Sequence, residues 1–251
     1  MITYEFPVNE RIRTFLRLES LYNRARTYLT HESPDISHAG LLTIFEILEV
    51  TGRSELKSEV IQELEKQKNH LTQFRGNPSV EDSAVTSLIT EIESASDLLL
   101  KSSGKTGQEI RQNDWLSSIR QRTSIPGGVC QFDLPSYHFW LSSGASNRKE
   151  DLEKWLQPFQ GLASGIIVIL KILRKSGQPE NISAINGNFQ KTLSGKMAQL
   201  IQVKINSSDK LVPEVSANKY LLNIRFTIAG DHLKKQTNEN IDFELSFCNL
   251  L

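Results

Sequence analysis

Two differently patterned halves of the chain meet at Ile125-Pro126-Gly127-Gly128-Val129-Cys130-Gln131-Phe132-Asp133-Leu134-Pro135. The sequence before this stretch is polar, poor in glycine and patterned for helices, whereas much of the sequence after it alternates between apolar and polar residues as β-strands do. Pro-Gly-Gly is a turn sequence, because proline fixes φ and glycine admits positive φ. We therefore predict an α+β protein: a mainly helical domain over residues 1–125, then a domain over residues 126–251 that opens with this stretch as a hinge strand.

The composition and charge of the chain are those of a globular protein without a net charge. The chain has 251 residues, of which 38% are hydrophobic and 23% are charged, as is typical of globular proteins. Its 29 basic and 29 acidic residues cancel, so the overall charge does not favour nucleic acid or an anionic membrane as a partner.

The longest apolar run, around Ile166–Leu173, contains Lys171 and is too short to span a bilayer. The N-terminus does not resemble a signal peptide, and two cysteines form no disulfide framework. We expect a cytoplasmic protein that neither inserts into a membrane nor binds nucleic acid.

Apolar residues at a spacing of three and four predict five helices before the hinge. Asn9 is a suitable N-cap for the first helix, and Ser79 with Asp82 resembles a capping box for the fourth. The five predicted helices cover residues 10–29, 41–52, 56–74, 80–99 and 108–122.

After the hinge, the pattern predicts a short helix that begins at Pro135 and a long helix over residues 147–175. The long helix carries a wide apolar band, which suits either the core of a domain or an interface between subunits. Period-two alternation then predicts antiparallel strands around 201–205, 220–228 and 241–247. These strands form a small sheet or sandwich with which the hinge and the first residues of the chain can also pair.

Fragments that resemble catalytic motifs fail on inspection. Gly104-Lys105-Thr106 matches the end of a phosphate-binding loop, but the first glycine of that motif would fall at Leu99. His31 and His38 have no partners at metal-ligand spacing. His138 stands among aromatic residues, where it is either a packed side chain or a donor at a binding surface. We therefore predict no enzyme activity, no metal site and no cofactor.

Cations on faces that should be exposed are the remaining candidates for function, because the planar guanidinium group of arginine suits carboxylates and phosphates. The candidates are Arg13, Arg17, Arg53, Arg120, Arg122, Lys219 and Arg225. Each has a simpler interpretation. Arg13 and Arg17 can belong to a solvated helix face, Arg120 and Arg122 can complement a helix dipole, and Arg225 can pair with Asp242 or Glu244 on a neighbouring strand.

Several segments of the sequence resemble the ZapD family of bacterial cell-division proteins. They are residues 8–19, 38–40, 119–128, 132–135 with His138 and Trp140, 224–226 and 242–245. The resemblance covers nearly the whole chain in the right order, and its central motif, Ile119-Arg120-Gln121-Arg122-Thr123-Ser124-Ile125-Pro126-Gly127-Gly128, is highly specific.

The resemblance implies a cytosolic homodimer without catalytic activity that binds the C-terminal tail of FtsZ and bundles FtsZ filaments at midcell. It also implies tail-binding roles for Arg17, Arg53, His138 and Arg225, with Lys219 as a neighbour on the same alternating face. Arg120 and Arg122 of the central motif complete the candidate set. The family pattern can place basic residues near Leu221 and Asp114, where this chain has a neutral and an acidic residue.

Two other function classes are weighed against this one. A nucleic-acid-binding module would use Arg13 and Arg17, but the zero net charge argues against it. A small-molecule enzyme would need a nucleophile and a base, and no such pair is visible in the sequence.

Overall fold

The computed structural model describes residues 1–52, 55–76, 81–101, 104–193, 198–229 and 235–250. The chain divides into two compact units. The sheet unit comprises Met1–Thr14 and Leu170–Leu251, and the helical unit comprises Phe15–Ile169. The fold class is α+β, as the sequence predicts.

The described helices are α1 Glu10–Tyr28, α2 Pro34–Val50, α3 Leu56–Thr72, α4 Asp82–Lys101, α5 Gln108–Arg111, α6 Asp114–Thr123, α7 Pro135–Leu141, α8 Ala145–Leu156 and α9 Gln160–Lys175. The described strands are β1 Ile2–Pro7, β2 Glu180–Ala184, β3 Asn188–Thr192, β4 Leu200–Ile205, β5 Leu211–Ala217, β6 Leu221–Ile228, β7 Lys235–Gln236 and β8 Ile241–Cys248. The division between the units falls inside α1 and α9, and the helices on both sides of residue 125 belong to the helical unit.

Two helix starts illustrate how the sequence sets local structure. The side chain of Asn9 accepts a hydrogen bond of 2.8 Å from the amide of Ile12, which confirms Asn9 as the N-cap of α1. The predicted helix over 108–122 is instead two helices. Asn113 interrupts it and caps α6 by accepting a 3.0 Å hydrogen bond from the amide of Leu116. Ser79, the other predicted cap, lies outside the described residues.

The prediction of a hinge strand within residues 125–135 is wrong. This stretch is a series of turns that connects α6 with α7. The amides of Gly128, Cys130 and Asp133 donate to carbonyls three residues earlier at 2.9, 3.2 and 3.0 Å, and Gly127 takes a φ of 72°. Because these local bonds already use the backbone groups, the stretch pairs with no strand among the described residues.

The predicted helix over 147–175 begins at Ala145 and contains a 3₁₀ turn at Gln157–Phe159. Pro158 explains the interruption, because proline lacks an amide hydrogen and its ring crowds the preceding turn. The apolar band of the helix is buried by the chain itself, with Leu152, Phe159 and Ile166 at most 2% exposed. The band therefore serves the core, which is one of the two roles that the sequence allowed.

By length and composition, Ala145–Lys175 could cross a membrane, whereas the apolar run seen in the sequence looked too short. Within the most apolar 18-residue stretch of this segment, 56% is buried inside the protein. Core helices of water-soluble proteins pass the same length and composition test.

The sheet unit contains two antiparallel sheets with strand orders β1-β4-β8-β2 and β3-β6-β5, with β7 beside β6. The first residues of the chain join the sheet as expected, because Ile2 to Pro7 pair with β4. Apolar side chains from both sheets share one core, in which the ring centroids of Phe226 and Phe243 are 5.1 Å apart. The β domain is therefore a small sandwich.

Candidate functional site

The seven residues proposed as binding residues are divided between the two units. Lys219 and Arg225 belong to the sheet unit. The helical unit contains Arg17, Arg120, Arg122 and His138, and Arg53 lies outside the described residues. Neither unit by itself gathers the whole set, so each surface is described separately.

Arg225 lies at the centre of the outer face of the β3-β6-β5 sheet. Successive side chains of a strand point to opposite faces, so burial of Leu222, Ile224 and Phe226 leaves Asn223 and Arg225 exposed. Strand register places Arg225 between Asn188 of β3 and Glu214 of β5. These three residues form a row across the strands. The next row on the same face consists of Gln190, Asn223 and Ser216.

These two rows border an open groove of about 650 Å³ on this sheet. Asparagine and glutamine side chains supply both hydrogen-bond donors and acceptors. Arg225 supplies a positive charge with several N–H donors, and Glu214 opposite it supplies a negative charge. Atoms of Phe189, Val215 and Ile224 add apolar surface to the groove. The groove can therefore receive a ligand that presents polar main-chain groups, apolar side chains and a carboxylate.

The predicted pairing of Arg225 with Asp242 or Glu244 is wrong. Both acids lie on β8, which belongs to the other sheet. Glu244 instead pairs with Lys204 at 2.9 Å, and Asp242 accepts a hydrogen bond from the hydroxyl of Ser183. Three further ion pairs of the sheet unit join Glu5 with Arg174, Glu180 with Lys191 and Glu10 with Arg13, and Arg225 takes part in none of these three.

Lys219 lies in the turn between β5 and β6 and not on the alternating face of the strand. The side chain of Asn218 accepts hydrogen bonds from the amides of Tyr220 and Leu221 at 2.8 and 2.9 Å, and these bonds form the turn. The ammonium group of Lys219 sits 4.8 Å from the centre of the Tyr220 ring. Leu221, a position where the family pattern allows a basic residue, is the half-buried first residue of β6.

Arg13, Arg17 and Arg24 form a basic stripe along α1, and at least two of the three are ion-paired. Arg13 pairs with Glu10 at 3.0 Å and Arg24 pairs with Glu46 at 2.6 Å. Arg17 is exposed on the same helix. These pairs favour a solvated helix face over a surface built for nucleic acid.

His138 is exposed on α7, so it is not a packed core side chain. Its neighbour Phe139 is 78% exposed. Arg122, at the end of α6, pairs with Asp133 at 3.6 Å, and Arg120 is half-buried on the same helix. Asp114, the other departure from the family pattern, is the exposed first residue of α6.

The inner side of α7 belongs to an aromatic cluster of Trp115, Tyr137, Trp140 and Trp155, with ring centroids 5.5–6.1 Å apart. A ring nitrogen of His38 lies 2.6 Å from the hydroxyl of Tyr137. Burial lowers the pKa of His38, and the nearby carboxylate of Asp35 opposes this effect only in part. Because the same helix carries Tyr137 and His138, this cluster fixes the direction in which His138 points.

Arg148 is a buried residue that the sequence reasoning missed. It is 4% exposed, and its guanidinium group donates to the hydroxyl of Ser37 and to the carbonyls of Glu32, Leu141 and Ser143. It thereby ties the start of α2 to the loop after α7. A signal was present in the sequence, since Arg148 lies four residues before Leu152 on the apolar face of α8.

The described residues contain no group of three or more histidine, cysteine, aspartate or glutamate side chains that could hold a metal ion. The candidate functional groups are the exposed Arg225 and the amide side chains on the sheet face, together with the exposed His138 on α7.

Comparison with known proteins gives a consistent family assignment. The family model described as "ZapD: Cell division protein" matches residues 16–225. Three curated relatives carry the name "Cell division protein ZapD". The protein of Azoarcus sp. (strain BH72) is 49% identical over 251 residues, covering 100% of both chains. The protein of Aromatoleum aromaticum (strain DSM 19018 / LMG 30748 / EbN1) is 47% identical over 100% of this chain and 98% of its own. The protein of Dechloromonas aromatica (strain RCB) is 49% identical over 253 aligned positions, covering 100% of both chains. The chain therefore belongs to the ZapD family of cell-division proteins.

Proposed function

We propose that this protein is a non-enzymatic cell-division factor of the cytoplasm that binds the C-terminal tail of FtsZ. In this proposal it acts as a homodimer that cross-links and bundles FtsZ filaments and so promotes assembly of the division ring at midcell. Family membership supports the cell-division role. The observation that carries the binding proposal is the exposed Arg225, opposite Glu214, in an open groove that is also lined by three amide side chains.

The chemistry of the groove matches an acidic and apolar tail peptide. The Arg225 guanidinium can bind a tail carboxylate through two parallel hydrogen bonds. Asn188, Gln190 and Asn223 can bind main-chain amides of an extended peptide, while the apolar part of the groove accepts aliphatic side chains. Lys219 adds positive charge at the end of the β5–β6 hairpin.

The helical unit contributes further candidate groups in this proposal. Arg17 is exposed on α1, Arg120 and Arg122 are both on α6, and His138 is an exposed hydrogen-bonding side chain on α7. The arginines attract the acidic residues of the tail over a distance, which raises the rate of association and makes binding sensitive to salt.

Bundling follows from valency. One tail site per subunit gives modest affinity, but a dimer faces a filament that presents many tails, so its two sites bind with avidity. When the two sites hold tails from different filaments, the dimer becomes a cross-link.

The test is titration of a fluorescent FtsZ tail peptide, followed by fluorescence anisotropy. Arg225→Gln removes a charged hydrogen-bond donor, so we expect binding to weaken at least about tenfold. The control is Lys210→Gln, which removes the same charge from an exposed position before β5 that does not line the groove. Equal affinity of Arg225→Gln and the unchanged protein would overturn the assignment of the groove.

A further inference from the structure

A second depression lies in the helical unit and is not used by the proposed tail-binding site. It has a volume of about 360 Å³ and is formed by the end of α4, the loop 104–107, α5 and the junction between the 3₁₀ turn and α9. A volume of this size falls in the range of small-molecule sites.

The lining of this depression is rich in cations and hydrogen-bond donors. Lys101 and Lys105 contribute two positive charges, against one negative charge from Glu109. The hydroxyl of Thr106 and the amides of Gln108, Gln157 and Gln160 also line it. A net positive charge with several neutral donors is the arrangement that binds a phosphate group, whose oxygens only accept hydrogen bonds when ionised.

At two glycines that line the depression, the backbone packs directly against neighbouring parts of the helical unit. A Cβ atom at Gly107 would come within 2.6 Å of Leu48 and 2.8 Å of Phe159, and Gly107 has a φ of 71°. A Cβ atom at Gly161 would come within 3.0 Å of the carbonyl group of Leu98. The backbone on two sides of the depression is therefore fixed by packing, although the lysine and glutamine side chains are exposed.

The loop contains Gly104-Lys105-Thr106, the fragment that resembles the end of a phosphate-binding loop. The structure excludes a true phosphate-binding loop, because the fragment follows helix α4 and not a strand. Its lysine and threonine nevertheless line the depression.

We propose that this depression binds the phosphate group of a small molecule. Lys101 and Lys105 neutralise the charge of the phosphate, and Thr106 with the glutamine amides donates hydrogen bonds to its oxygens. The site is separate from the groove at Arg225, so its occupancy does not depend on the proposed function.

The decisive variant is Gln160→Glu, which keeps the size of an exposed side chain but places a carboxylate in the depression. The matched control is Gln62→Glu, which adds the same charge at an exposed position of α3 away from the site. The full-length protein, labelled with ¹⁵N, is titrated with inorganic phosphate at constant ionic strength and followed by amide NMR.

We expect saturable shifts of the Gly104, Gly107 and Gly161 amide signals, while Gly76 and Gly144, which do not line the depression, stay unchanged. Gln160→Glu should weaken phosphate binding at least tenfold, and Gln62→Glu should not. Absence of saturable shifts at these three glycines, or equal binding by Gln160→Glu, would overturn the proposal. A parallel titration with pyrophosphate distinguishes the ligands: tighter binding than phosphate indicates a phosphate ester or polyphosphate, and equal binding indicates free phosphate.

Discussion

Arg225 illustrates how register decides whether a charged side chain is available for binding. Its exposure follows from the alternation of β6, which the sequence shows, but its neighbours follow from the order of the strands. Because β8 belongs to the other sheet, the acids that looked able to neutralise Arg225 are bound to Lys204 and Ser183 instead. Alternation in one strand carries no information about which strand lies beside it.

Arg225→Glu should leave the fold intact while abolishing tail binding. The new carboxylate would face Glu214 across the ladder, and like charges in such pairs cost about 0.2–1 kcal/mol. The measurement is circular dichroism with thermal unfolding, beside Lys210→Glu as a control of equal charge. Loss of the native spectrum in Arg225→Glu alone would show that this arginine is needed for folding.

Glu5 gives a residue-scale prediction about pH. Burial alone would raise the pKa of Glu5, but hydrogen bonds from Arg174 and Gln202, together with the charge of Arg174, hold it below its usual value. A lowered folded-state pKa means that the unfolded chain binds the proton more tightly. The stabilisation is therefore complete above the usual pKa of about 4.5 and is lost as the pH falls below it.

Urea unfolding between pH 3 and 7 measures this effect. Glu5→Gln should lower the free energy of unfolding at pH 7 by about 1–2 kcal/mol, because charged hydrogen bonds to Arg174 are lost. The difference between the two proteins should shrink as the pH falls through the acid range. A difference that stays constant from pH 7 to pH 3 would contradict the assigned role of Glu5.

At the scale of elements, the helical unit depends on a contact between its loops. Arg148→Met removes four hydrogen bonds, to the hydroxyl of buried Ser37 and to three partly buried carbonyls near α2 and α7. We expect a loss of about 3 kcal/mol in the free energy of unfolding, measured by urea denaturation. Lys149→Met, at the neighbouring exposed position, should change it by less than about 0.5 kcal/mol. Equal effects of both substitutions would show that Arg148 has no special structural role.

Most elements could be predicted from the sequence, because periodicity and caps are local signals. The cap at Asn9 and the strand at β6 are examples. The hinge could not be predicted, since Ile125–Pro135 is equally compatible with a strand and with successive turns until its neighbours are known. The break at Asn113 was missed because an asparagine inside a weak helical pattern can either remain in the helix or cap a new one.

The candidate site could be predicted only in part. Exposure of Arg225 and Asn223 follows from alternation, but the rows of Asn188 and Gln190 beside them depend on strand order. Arg148 shows the opposite case: the sequence pattern put a cation on an apolar face, and only the carbonyl groups of distant loops explain why it is tolerated there.

At the scale of the whole molecule, the proposed activity requires two tail sites in one assembly. The apolar band of α8 and α9 is already buried within the chain, so it is not available as the dimer seam. The proposal therefore requires a dimer interface elsewhere on the protein. A single site on a monomer would bind tails without linking filaments.

Co-sedimentation with GTP-assembled FtsZ tests the central claim most directly, with full-length FtsZ compared with FtsZ that lacks its C-terminal tail. We expect the protein to pellet with full-length filaments and to bundle them, and to remain in the supernatant with filaments that lack the tail. Arg225→Gln should pellet less than Lys210→Gln under the same conditions. Equal pelleting with tailless filaments, or no pelleting with intact filaments at low salt, would contradict the proposal that this protein cross-links FtsZ through its tail.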